Sequence, residues 1–379
     1  MALDWRDLRR EGRLTFEMVS PNDTSQVYGE LEGVELSGSS LSAAYYTDTR
    51  TSGKITVVGE GYKYRQSFIR VTYSIPSWGF TRVLGTYLVK NDDGKRENGA
   101  WVYELELQSM LYGLSTEKGV QPWTLAKGAD AIKTIRQIVG AAANGKVKLK
   151  EHDVKPHKLS QPLVLESGST VLARLYDLCK VSGNRIDVDG YAGVTLSRYV
   201  EPDKRTPTLT IDLSDPRGIA QDGVELSTNW HEMVSVAAVS YKYTAQTTTD
   251  GKTESVQREV NGWATISRSE HQSQSNRGWT VTSFESLSDV ENPTKAMADK
   301  KAKENLAKAS REQVEWRLTT MFIPVWEGDV VNLVVPDGMS AYRGTRKCLV
   351  KAVELDLEYM TMELTLKETA SGDDEEVTT

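Results

Sequence analysis

The chain has 379 residues, 39% of them hydrophobic, and acidic side chains outnumber basic ones 53 to 46, a formal net charge of -7. That length accommodates two or three domains with their own cores, and no apolar run approaches the roughly 18 residues of a membrane-spanning helix. An acidic balance without a basic stripe argues against a nucleic-acid grip, because neutralising phosphates requires clustered Lys and Arg.

Residues 1–115 read mostly as strand. The start, Met1 to Asp7, lacks the apolar stretch of a secretory signal, which points to synthesis in a cytoplasm. Leu14, Phe16 and Met18 fall on one face of a strand, and Ile55 to Val58, Phe68 to Tyr73 and Gly85 to Val89 follow. A polar loop is expected over Asn91 to Lys95, and beyond it Trp101, Tyr103, Leu105 and Leu107 alternate with Val102, Glu104 and Glu106. Period-two runs separated by turn signals predict an antiparallel barrel or sandwich.

The pattern changes over 116–205. Ile132, Ile135, Ile138 and Val139 make one face of a short helix closed by Gly140. A second helix starts at Ser169 as N-cap, carries Val171, Leu172, Leu175, Leu178 and Cys179 as its stripe, and stops at Gly183. Ile186-Asp187-Val188-Asp189-Gly190 then signals a hairpin whose return strand is Gly193 to Leu196. Helix plus hairpin makes a small α+β domain.

Strands resume over 206–371, with Leu209 to Ile211 and Met233 to Tyr243. The polar stretch 244–276 predicts an exposed excursion, such as a long hairpin arm. A second excursion, 292–311, has Asn292 as cap, Pro293 at the first helical position and a thin stripe of Ala298, Ala302, Leu306 and Ala309. Gly328 to Leu333 and Cys348 to Leu366 alternate as closing strands. Residues 372–379, with Asp373, Asp374, Glu375 and Glu376, read as an acidic disordered tail.

Tyr and Trp supply 25 of the 30 aromatic rings, and such rings suit sheet faces and half-wet interfaces between subunits. The two cysteines, Cys179 and Cys348, both lie in apolar-periodic segments and read as buried thiols rather than a disulfide or a metal pair.

Chemistry-bearing motifs are sparse. His152, Asp153 and His157 lie in a loop-like stretch that falls short of the ligand set of a zinc site. His231-Glu232 opens a zincin-like motif but has Ser235 where the second His belongs. Asp187-x-Asp189-Gly190 lacks the closing Glu of a calcium loop, since Arg198 holds that position. Ser115 to Lys118 matches S-x-x-K after a strand, without a K-T-G to follow. Gly59-Glu60-Gly61 has Tyr64 where a dinucleotide loop needs glycine. We therefore assign no catalytic, cofactor-binding or metal residues and no cofactor. Paired carboxylates for glycan cleavage stay open as an alternative, because their spacing is set in space and not in sequence.

Leu84-Gly85-Thr86-Tyr87, the run Ser169 to Leu175 followed by Ile186 to Gly190, and Trp326-Glu327-Gly328-Asp329-Val330-Val331 with Val350 to Leu366 behind it together resemble the baseplate hub or tail-associated proteins of tailed phages, relatives of type VI secretion spike hubs. The resemblance spans most of the chain and implies a β-rich α+β fold: two tube-type antiparallel β-barrel domains, at 1–115 and 206–371, around the small domain at 116–205. It further implies a non-enzymatic virion protein at the tail tip, assembled in the host cytoplasm. There a homotrimer would adapt the six-fold tail tube to a three-fold tip. The implied partners are a distal tail protein ring, a tape-measure protein and fibres or receptor-binding proteins, attached through 244–276. DNA would pass through the lumen unbound, with Glu104 and Glu106 facing either the lumen or the outside. The competing reading is a tail-associated cell-wall glycan hydrolase. A weaker one is a carbohydrate-binding protein using Trp78 or Trp279.

Overall fold

A computed structural model describes the chain except for residues 1–10, 60–62, 120, 143–146, 216–219, 221–222, 250–251, 271–272, 288–289, 291, 313, 337–341 and 370–379. The expected acidic tail and Gly61 thus lie outside the described residues. Seven strands form the N-terminal part: β1 (Arg13–Val19), β2 (Val27–Glu30), β3 (Val34–Ala44), β4 (Thr51–Val58), β5 (Phe68–Ile75), β6 (Phe80–Glu97) and β7 (Ala100–Gln108). The small unit follows, with helices α1 (Met110–Thr116), α2 (Ala131–Ala141) and α3 (Val171–Ser182), and strands β8 (Trp123–Leu125), β9 (Leu149–His152), β10 (Leu163–Leu165), β11 (Asn184–Val188) and β12 (Val194–Arg198). The remainder holds β13 (Leu209–Asp212), β14 (Glu225–Thr228), β15 (Val236–Thr249), β16 (Lys252–Thr265), α4 (Gln274–Arg277), β17 (Thr282–Leu287), α5 (Lys295–Ala309), β18 (Val314–Met321), β19 (Val330–Val335), β20 (Gly344–Asp356) and β21 (Thr361–Glu368).

The β-dominated α+β class stands. The two strand-rich parts are joined edge to edge, because β20 pairs antiparallel with β3 from Ala352↔Ala44 to Asp356↔Ser40. The resulting 13-stranded sheet runs β14-β18-β21-β20-β3-β4-β7-β6-β5-β1-β2, with β13 and β19 attached through β20. This is an open path: among the described residues no ladder closes either part into a barrel. Alternation fills one shared core. Tyr103, Leu105 and Leu107 of β7, Trp316 and Leu318 of β18 and Met362, Leu364 and Leu366 of β21 are all buried in it, as the period of two requires. The polar stretch Asn91 to Lys95 is strand and not loop, paired with β7 from Asn91↔Glu106 to Lys95↔Val102. The turn lies further on, at Asn98 (φ 48°) and Gly99 (φ 87°), the two positive φ values that a type I′ hairpin needs.

The small unit is an internal duplication. Gln121-Pro122-x-x-Leu125-x-x-Gly128 recurs forty residues later as Gln161-Pro162-x-x-Leu165-x-x-Gly168, and each copy runs into a helix. The pairing respects the offset: β8 and β10 are antiparallel about Thr124↔Val164, and the bridges Asp130↔Lys158 and Lys118↔Thr170 exchange under it. Backbone bonds follow suit, Gly128 N to Leu159 O at 2.8 Å matching Gly168 N to Gly119 O at 2.9 Å. Two βα units are therefore related by a pseudo-two-fold axis.

Helix ends differ from expectation in detail. Asp130 caps α2, its Oδ1 accepting from Ile132 N at 2.9 Å and Lys133 N at 3.3 Å, and Gly140 lies inside the helix, which ends at Ala142. Thr170 and not Ser169 caps α3, accepting from Ala173 N at 3.1 Å. The Ser169 hydroxyl instead donates to Glu166 O and accepts from Arg174. Gly183 is left-handed at the end of α3, φ 65°, as expected of a C-terminal glycine. At α5 the cap is Thr294, accepting from Met297 N at 3.3 Å; Asn292 takes a positive φ of 46° ahead of it.

The two excursions pack on each other. β15 and β16 form a 14-pair antiparallel hairpin, β17 adds in parallel to β15, and Ala298, Ala302 and Leu306 of α5 bury against Ala237, Val239, Tyr241 and Ala264. Small residues on α5 let it lie close: a Cβ on Gly262 would sit 2.3 Å from the Ala298 carbonyl carbon. Backbone cannot yield as a flexible side chain does. Gly262→Ala is therefore expected to cost about 1–3 kcal/mol, read as a lower urea midpoint, whereas an Ala at exposed Asn261 would leave the midpoint within experimental error.

Candidate functional site

The three segments that carried the resemblance, remote in sequence, converge in space. Thr86 on β6 donates through Oγ1 to Gly190 O at 2.7 Å and accepts from Arg70 Nε at 3.3 Å. The Arg82 guanidinium lies 5.8 Å from the Trp326 ring centroid. Gly190 is required by this approach, since a Cβ there would come 2.9 Å from Val83 O.

Beside this contact is a half-buried charge junction between the small unit and the sheet. Arg185 and Asp187 alternate on β11 and so share a face. Arg185 Nη2 donates to Asp187 Oδ1 at 2.9 Å and its Nε lies 2.5 Å from Oδ2. Arg50, at the end of β3's turn, reaches the same carboxylate at 3.2 Å. The ring of Tyr45 carries Arg185 at 4.0 Å, a cation–π contact. Arg205 donates to Tyr45 Oη at 3.0 Å and to Gly328 O at 2.7 Å. Gly328 takes a φ of 84° against that ring, and Asp329 closes the turn by accepting from Trp326 N at 2.8 Å. Glu327 completes the group. Burial, and then the negative charge of Asp187, push its carboxyl up to about 8 against the pull of Arg185 and Arg50.

A cavity of about 520 Å³ opens beside the junction, lined by Tyr45, Arg50, Tyr176 and Arg185, but Asp187 and Glu327 are not among its lining residues. Of the junction, sequence reasoning singled out only Asp187 and the 326–331 turn. Arg185 was legible as the same-face neighbour of Asp187; Arg50, Tyr45 and Arg205 gave no local signal.

The other singled-out residues are held in local structure. Asp189 Oδ1 accepts from Tyr191 N at 2.9 Å and Gly193 N at 2.7 Å, tying the hairpin loop, while Lys150 pairs with its other oxygen. His152 and Asp153 are exposed at the end of β9, and His157 gives its carbonyl to Ala131 N at 2.8 Å. Among the described residues no three His, Cys, Asp or Glu side chains gather to hold a metal ion. His231 stacks on Trp279 at 5.7 Å, and Ser235 Oγ accepts from Val281 N at 3.0 Å. Arg277 lies 5.7 Å from the same Trp279 ring, which stays exposed; Trp78 packs against the main core. Ser115 is on a helix after all, α1, donating to Tyr112 O at 2.7 Å. Tyr64 is buried and donates to Asp92 Oδ2 at 2.9 Å. Both cysteines are buried free thiols. Glu104 and Glu106 project from the exposed face of β7, and each pairs with a lysine, Lys54 at 2.9 Å and Lys90 at 2.7 Å.

Two outcomes test the junction. Glu327 has a folded pKa raised above its ordinary 4.5, so its contribution is fully present below pH 4.5 and is lost as pH rises through about 8. Glu327→Gln should therefore raise the melting temperature by about 2–6 °C at pH 8.5 and leave it unchanged at pH 4.5, read by calorimetry. Asp187→Ala removes the shared partner of two half-buried arginines and should cost about 1–3 kcal/mol, against at most about 1 kcal/mol for Lys54→Ala in its exposed pair, both read by denaturant unfolding.

No protein-family model matches the chain, and no curated protein matches it. Solved structures do. A tail protein from Neisseria meningitidis MC58 superposes with a TM-score of 0.62 at 12% identity, over 94% of this chain and 96% of that one. The 43 kDa tail protein of prophage MuSo2 from Shewanella oneidensis gives 0.58 at 12% identity, over 94% and 98%. Prophage tail protein gp18 from Listeria monocytogenes EGD-e gives 0.55 at 10% identity, over 93% and 94%. At such identities what is shared is the path of the backbone, and on that ground the chain has the fold of phage and prophage tail proteins.

Proposed function

We propose that this chain is a structural component of a phage-type tail, the hub at the distal end of the tail tube, with no enzymatic role of its own. The observation that carries the reading is the end-to-end fold match, over more than nine-tenths of both chains, to proteins described as tail proteins. In this reading three copies form a ring that adapts the six-fold tube to a three-fold tip and surrounds the DNA path. A distal tail protein ring, a tape-measure protein and fibres or receptor-binding proteins would be its neighbours, and the tail tip of a virion its place.

The edges of the large sheet support this. β2 ends the path at one side and exposes Val27 and Tyr28; β14 ends it at the other. Free strand edges are ready to pair with another chain, and a tube built from copies would satisfy both. Light scattering is expected to give three times the monomer mass, and Tyr28→Lys on the β2 edge is expected to reduce it to the monomer mass with the circular dichroism spectrum unchanged. A monomeric wild-type protein that is also missing from the tail tip in images of intact particles would overturn the hub reading. Clearing of a peptidoglycan zymogram would favour the glycan hydrolase instead.

A further inference from the structure

The duplicated βα units have nearly the same exposure pattern, position for position. Of the matched pairs, Gln161, Leu163, Tyr176 and Val181 are partly covered where Gln121, Trp123, Arg136 and Ala141 are exposed. Tyr176 donates to Asp48 O, while the other three residues of the second unit face the chain's own Leu287 and Val290. Gln161 Nε2 donates to Val290 O at 3.1 Å, and Leu163 and Val181 bound a crevice of about 190 Å³ with Leu287 and Val290. At these three positions the difference between the twins is the presence of Leu287 and Val290.

We propose that the matching face of the first unit, formed by Gln121, Trp123 and Ala141, docks an extended segment of another polypeptide. The twin specifies the chemistry of the occupant. It presents two aliphatic side chains three residues apart, as Leu287 and Val290 do, and a backbone carbonyl that accepts from the Gln121 amide. The bare face repeats the chemistry of the covered one. Gln and Pro recur at 121–122 and 161–162, and Trp123, 36% exposed, stands where Leu163 is. An exposed Trp flanked by a small residue is a typical anchor position for a protein partner. The chain's own Leu287 and Val290 are engaged at the second unit, so the occupant comes from a different chain. This holds whether or not the hub reading does.

The test is fluorescence anisotropy of a labelled peptide with the sequence of residues 284–292 titrated with the full-length protein. Saturable binding is expected with half-saturation on the order of 100 µM, as suits a contact far smaller than a standard interface. Ala141→Arg, at an exposed position, and Trp123→Phe, which keeps a ring on β8, should each weaken it roughly tenfold or more, with the circular dichroism spectrum of each variant checked against the wild type. Val181→Arg, in the occupied twin, should not weaken it. Lack of saturation up to about 1 mM, or binding that Ala141→Arg leaves unaltered, would overturn the proposal.

Discussion

Two guanidinium groups from distant parts of the chain, Arg50 and Arg185, share one carboxylate, Asp187, and the placement of the small unit against the sheet depends on that neutralisation. A guanidinium removed from water without a counter-charge carries a penalty of several kcal/mol. Asp187, with the Tyr45 ring face beneath Arg185, offsets it. Once Arg185 is held, β11 is fixed, the hairpin presents Gly190 to β6, and the 326–331 turn is held from the other side by Arg205. Burial, and then the neighbouring Asp187, push the Glu327 carboxyl toward its neutral form.

The sheet and the small unit solve different packing problems. The sheet gains its core by alternation along many strands, so its burial is distributed and its edges remain free. The small unit is a pair of short βα elements, each too small to enclose a core alone. Doubling about a pseudo-two-fold axis buries Ile132, Ile135, Leu172 and Leu175 in one cluster. Symmetry is broken within the pair itself: Arg174 of α3 bonds Gln121 O of the first copy and Glu166 O of the second, while α2 has Thr134 at the matching place. A fold built this way offers one face inward and its twin outward.

Strand alternation in β1, β7, β18 and β21, the hairpin after Gly183 and the long arm at β15–β16 were legible because each is set by neighbours within a few residues. The Asn98-Gly99 turn was equally local, yet the charged run before it read as a loop; cross-strand pairing with β7 overrides the poor strand propensity of Asn91 and Asp92. The caps at Thr170 and Thr294 were missed by one or two residues, since Ser, Thr and Asn are all competent caps and the backbone geometry selects among them. The repeat at an offset of forty residues was present in plain letters, Gln-Pro-x-x-Leu-x-x-Gly twice.

Sequence alone determined the β-rich class, the change to helices over 116–205 and the likeness to phage hub proteins, because hydrophobic period and turn chemistry act locally. Tertiary structure decided how the parts meet: that β3 and β20 merge two strand regions into one sheet, that Arg50 reaches Asp187, and that one βα unit is covered while its twin is bare. Those outcomes depend on contacts between residues more than a hundred positions apart, and no window along the chain contains both partners.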